Sequence, residues 1–178
     1  MKDIMKHSLF VLALAAALPV AVAQAPTSDL VGIYTSTTVA GPNPVLGILR
    51  PGERVTNELV VYDNLKGVEG SLRAFVKSVT PEGVSCQIEG DVANASKTGF
   101  TVSEKMFGAT CSLTIAREGD NLRVAASSSQ CARICGDGGG FIPAPYTKLC
   151  STVEPNVLEE MTSRIYAKNP DYGPNCKG

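Results

Sequence analysis

Between Val31 and Ala126 the chain runs in short apolar or alternating stretches broken by turn residues. In Ser71–Val79, Leu72, Ala74 and Val76 alternate with Arg73 and Lys77, a period of two that predicts a strand with one buried face. Phe75 lies on the polar side of that alternation and predicts partial cover of the second face as well. Thr80-Pro81-Glu82-Gly83 supplies a reversal. Val84, Cys86 and Ile88 then alternate with Ser85, Gln87 and Glu89 to complete a hairpin. A second hairpin joins Cys111, Leu113 and Ile115 to Leu122, Val124 and Ala126 through the turn Glu118-Gly119-Asp120-Asn121. Weaker β-rich runs at 31–38, 45–49, 58–62 and 100–103 bring the count to about eight strands. The fold expected is mainly β, a small antiparallel barrel or sandwich.

The two ends of the chain break this texture. Ser151-Thr152-Val153-Glu154 has capping-box spacing, Pro155 suits a first helical turn, and Leu158, Met161 and Ile165 recur at helical spacing. One C-terminal helix is predicted from Thr152 to Lys168, stopped by Asn169-Pro170, with a tail tied down by Cys176. At the other end Lys2 and Lys6 precede an apolar run from Leu9 to Leu18, then Pro19 and Ala21-Val22-Ala23. That order predicts a secretory signal peptide over residues 1–23, with Gln24 first in the mature chain. The run is short of the roughly 20 apolar residues that a membrane span needs, so no membrane insertion of the mature chain is expected. The division is signal peptide 1–23, β domain 24–149, and helix with disulfide-tied tail 150–178.

Removing 23 residues from 178 leaves 155, enough for one domain with its own core. The mature part holds 14 basic and 16 acidic residues, a balance unlike that of a nucleic-acid binder. Its six cysteines, Cys86, Cys111, Cys131, Cys135, Cys150 and Cys176, form an even set in an exported chain, which predicts a disulfide framework in the periplasm or outside the cell. Six cysteines allow 15 pairings. Cys86 and Cys111 lie on the apolar faces of their hairpins and are expected to pair with each other. Cys150 and Cys176 flank the helix and pair naturally, which leaves Cys131 with Cys135.

The single histidine, His7, lies in the signal segment. The mature chain therefore lacks the imidazole that Ser-His-Asp and Cys-His mechanisms use, and zinc sites built with histidine are excluded too. No motif requires a cofactor or a metal. Cys131 through Phe141, with Gly136, Gly138, Gly139 and Gly140, has three readings. A phosphate-binding loop would need a following helix and usually a Lys, but Phe-Ile-Pro follows. A redox dithiol is normally C-x-x-C, one residue shorter. A small structural disulfide ring is the reading with most weight. The carboxylates Glu82, Glu89, Asp91, Glu104 and Asp120 fall at turns or on polar faces, as solvated side chains do.

From Cys86 onward the chain resembles a recurring type of small exported bacterial protein. The residues that carry the likeness are Cys86, Cys111, the Cys131-x3-Cys135-Gly136 stretch, Phe141 and Tyr146. The general build is similar to that of periplasmic lysozyme inhibitors. The resemblance, which to the inhibitors is architectural only, implies a disulfide-stapled β barrel. A rigid, cross-linked scaffold with exposed loops and no catalytic set points instead to a non-enzymatic binding role, with a cell-envelope protein such as a cell-wall hydrolase or toxin as partner. Phe141, Tyr146 and Lys148, which follow the glycine loop, are the candidate contact residues. The competing reading packs Phe141 and Tyr146 into the barrel end, and ordinary aromatic burial favours it. A carrier of a small apolar ligand and a hydrolase using carboxylates alone remain alternatives. Edman sequencing of protein from the source cell should begin at or near Gln24 in the soluble periplasmic fraction. Intact Met1 in a membrane pellet would overturn the export reading.

Overall fold

The computed structural model describes residues 27–44, 49–63, 71–153 and Cys176. The predicted signal peptide lies outside the described residues, as does the predicted C-terminal helix beyond Val153. Eight antiparallel strands follow one another around a closed barrel: β1 (Gly32–Val39), β2 (Arg54–Asp63), β3 (Leu72–Val79), β4 (Ser85–Ser96), β5 (Gly99–Met106), β6 (Ala109–Glu118), β7 (Asn121–Ser127) and β8 (Pro145–Cys150). One short helix, α1 (Cys131–Cys135), lies between β7 and β8. Closure comes from β1, which pairs with β2 on one side and with β8 on the other, Tyr34 opposite Lys148. A closed sheet has no edge to protect.

The alternation seen in the sequence becomes the inside and outside of this barrel. Leu72, Ala74 and Val76 of β3 point inward with Leu59, Val61, Ile88, Phe100, Val102, Leu113, Ile115, Leu122 and Val124, all at most 5 % exposed. Buried apolar area of this kind contributes roughly 25 cal/mol per Å², the main term holding the sheet closed. The barrel interior is thus a packed core of side chains. Phe75 is buried on the opposite face of β3, as its place in the alternation predicts. It packs there with Ile33, Val60, Tyr62 and Cys150, and Val153 and Cys176 pack against that group.

The same outer face holds Glu58 and Lys77, directly opposite each other on β2 and β3, with Nζ 2.9 Å from Oε2. Both side chains are almost fully buried. Towards the end of the barrel that holds the β1–β2 connection, the interior turns polar. The Asn57 amide donates to Thr38 Oγ1 at 2.7 Å and to Ser36 Oγ at 3.2 Å, and its Oδ1 accepts from the Val79 N–H at 2.8 Å. One amide thereby ties three strands.

β4 serves two neighbours in turn: residues 85–91 pair with β3, and its later half pairs with β5. The change of partner falls between Asp91 and Val92, and just before it stands Gly90, where a Cβ would run into the Ser103 carbonyl of β5. An approach this close admits only glycine. Seven of the eight strands overlap runs predicted from the alternation. The eighth, β8, was not predicted. Residues 45–48 of the run predicted at 45–49 lie outside the described residues; Leu49, its last residue, packs against Ala40, Val55 and Val79.

Tyr34 and Tyr146 lie inside the barrel, and burial holds each phenol up at about 12, against 10.0 for a free tyrosine. The folded state therefore keeps its protons where the unfolded chain releases them, so stability is full below pH 10 and falls as pH rises from 10 to 12. Each phenol contributes a loss on the order of 2–3 kcal/mol across that window. Far-UV circular dichroism and phenolate absorbance should change together above pH 10, and free titration of all tyrosines near 10 with the fold intact would contradict the packing.

Candidate interaction surface at the disulfide-capped end

In an up-and-down barrel alternate connections share an end. Here the 40–53 connection, the 80–84 turn, the 107–108 turn and the long 128–144 connection lie together, and Gly41 donates its N–H to the Pro81 carbonyl across two of them. The 128–144 connection begins with Ser128, whose Oγ accepts from the Ser112 N–H. It winds into α1 and then folds back through the glycines. Gly139 passes so near Cys135 that a Cβ would collide with the cysteine's carbonyl and side chain. The chain next drops Phe141 into the barrel core and donates the Ile142 N–H to Ser78 Oγ at 3.1 Å, on the far wall. The connection is therefore a plug across the mouth.

Two disulfides pin the plug, and they are not the pairs expected. Cys86 of β4 joins Cys135, and Cys111 of β6 joins Cys131. The expected Cys86–Cys111 bond fails because β5 lies between β4 and β6. Two strand spacings separate those cysteines by roughly 9–10 Å, beyond the reach of a disulfide. The expected Cys131–Cys135 ring fails because the segment is helical. Cβ atoms four residues apart on a helix are about 5–6 Å apart, whereas a disulfide needs about 3.8 Å. The same i, i+4 spacing sets both thiols on one face of α1, where each meets a different strand. Cys150–Cys176 forms as expected.

The three residues expected to make contact do not form one surface. Phe141 is in the core, and Tyr146 is completely buried there. Their burial follows from the plug: the glycine loop delivers Phe141 inward, and β8 closes the barrel with Tyr146 on its inner face. The Tyr146 hydroxyl lies beside Ser36 and Ser78 without closing a hydrogen bond of normal geometry. Lys148 stays half-exposed on the barrel wall, donating to the Asp29 carbonyl at 3.1 Å with its Nζ 5.5 Å from the centre of the Tyr34 ring.

Three of the five candidate carboxylates have structural partners. Glu89 accepts from the Tyr62 hydroxyl and faces Arg73 at 3.4 Å; Asp91 faces the same arginine at 3.6 Å. Glu104 accepts the Glu89 N–H at 3.0 Å, Asp29 pairs with Arg117, and Glu118 pairs with Arg123. Glu82 and Asp120 are exposed at turns.

The sequence reading missed one residue of this end. Among the described residues the large apolar side chains left exposed are Val39, Leu149 and Phe107, and Phe107 is 82 % exposed. It stands with Gly108 at the tip of the β5–β6 hairpin, where Met106 pairs with Ala109. The signal was available, since a two-residue loop ending in Gly between alternating runs marks a hairpin tip. Comparison of the chain with protein-family models, characterised proteins and solved structures gives no match.

Non-reducing peptide mapping should recover Cys86 with Cys135 and Cys111 with Cys131; a Cys86–Cys111 peptide would contradict the plug. In the chain-entropy picture, replacing both cysteines of the Cys111–Cys131 pair by alanine costs about 3 kcal/mol, and replacing those of Cys86–Cys135 costs about 4 kcal/mol. Urea unfolding of the two double variants measures both.

Proposed function

We propose that this chain is an exported, non-enzymatic binding protein that works by surface contact, with a cell-wall hydrolase or an envelope toxin as its target class. The observation that carries this reading is the barrel itself: its interior is occupied by side chains and its mouth is plugged by a cross-linked segment. A filled barrel works through its exterior. A scaffold held by disulfides loses little freedom when it binds, so more of the contact energy appears as affinity. Three disulfides suit an oxidising compartment, and the periplasm is the compartment we infer.

The chemistry agrees with contact over turnover. The mature part has no imidazole. Glu89, Asp91, Glu58, Asp29 and Glu118 are each joined to a cation. The packed interior also tells against carriage of an apolar ligand inside the barrel.

The oxidised full-length mature protein, immobilised and exposed to envelope extract, should retain one partner at one-to-one stoichiometry and slow that partner's lysis of peptidoglycan. Turnover of peptidoglycan by the purified protein itself, abolished by changing a single carboxylate, would replace this reading with an enzymatic one.

A further inference from the structure

Phe107 and Gly108 form a two-residue turn in which both residues have positive φ, +51° and +74°. That is the type I′ signature, and its first position favours Asn, Asp or Gly. Among the described residues only one other non-glycine, Asn94, has positive φ. Asparagine tolerates that region, while a bulky aromatic there is an outlier. Phe107 thus combines a disfavoured backbone with an exposed ring, and neither local stability nor the core accounts for it.

The hairpin under this tip is braced on both faces. Cys111, four residues along, is bonded to Cys131 of the plug. On the outer face Ser103 Oγ and Ser112 Oγ lie 2.7 Å apart, linking β5 to β6 by a hydrogen bond. The ring is therefore held out on a stiff support. Lys105 and Thr110, paired across the strands just below, are both exposed.

We infer that the β5–β6 tip is the anchor of the contact proposed above: the Phe107 ring enters an apolar pocket of a partner protein, and Lys105 meets carboxylates at the pocket rim. This rests on the contact function and names its central residue. A strained, exposed aromatic on a rigid support is what a binding hot spot requires and what a free surface selects against. Strain retained at one residue also predicts an unusual signature, in which a substitution that relieves it improves the fold and damages binding.

The full-length oxidised protein with p-benzoylphenylalanine in place of Phe107 is irradiated in envelope extract, beside controls carrying the same probe at Lys97 or Arg123, which are exposed elsewhere. Position 107 should cross-link to one protein, and the controls should not. Excess wild type should compete, and F107N should compete at least 30-fold less well. F107N should also unfold at the same or a higher temperature than wild type. Cross-linking to lipid, cross-linking no stronger than at the controls, or equal competition by F107N would overturn the anchor. If F107N and wild type retain the same partner in the pull-down, the anchor fails and the contact function stands. If wild type retains none, both fail.

Discussion

The architecture depends on the attachment of α1 at both of its ends. β8 reaches β1 and completes the barrel only after a connection of 17 residues has crossed the mouth. A free connection of that length would leave the final strand pairing to compete with a large loop entropy. Cys111–Cys131 fixes its start above β6, and Cys86–Cys135 fixes the next turn above β4. Phe141 then has only a few residues of freedom before it enters the core, and Tyr146 follows into the closing strand. The same connection thus caps the mouth, buries Phe141 and leads into the strand that closes the barrel.

The outer wall is not uniform. From β1 to β3 it carries Ile33, Val60, Tyr62 and Phe75, and beside them the Glu58–Lys77 pair, nearly removed from water. Removing two charges from water costs several kcal/mol per ion, so such a pair adds little net stability. Removal of one partner, in contrast, costs about 3–5 kcal/mol, because the other charge remains buried. The pair acts on register. A slip of β2 against β3 by one residue would carry the two charges onto opposite faces, and no slipped arrangement could satisfy both. From β5 to β6 the wall is instead polar, formed by Thr101, Ser103, Lys105, Thr110, Ser112 and Thr114, with no apolar patch among the described residues beside the hairpin tip.

Much of the barrel was legible because a half-buried strand writes its own period. Leu72-Arg73-Ala74 and Cys111-Ser112-Leu113 could only be strands of one inward face, and Phe75 announced the covered patch outside. β8 was hidden because Pro143 precedes it, Pro145 begins it, and Tyr146 is its one residue in the interior core, Cys150 lying in the outer patch. The disulfides were hidden for a different reason. Which cysteines meet depends on how many strands separate them and whether C-x3-C is coiled or looped, and neither is a local property. The candidate contact residues erred in the same way. An aromatic after a glycine loop reads alike whether the loop turns it outward or, as for Phe141, across a barrel mouth.

Covalent support and exposed apolar surface belong together in a domain of this size. A barrel of about 120 residues gains only about 0.05–0.15 kcal/mol of stability per residue, so a left-handed aromatic and an unburied ring would be a heavy load on packing alone. The two plug disulfides act on the unfolded chain, whose freedom they restrict whatever the folded surface displays. They therefore raise stability without asking any exposed residue to pack. That separation leaves the β5–β6 tip free to keep a side chain the fold does not favour. It also puts the tip four residues from the cross-link that ties β6 to the plug.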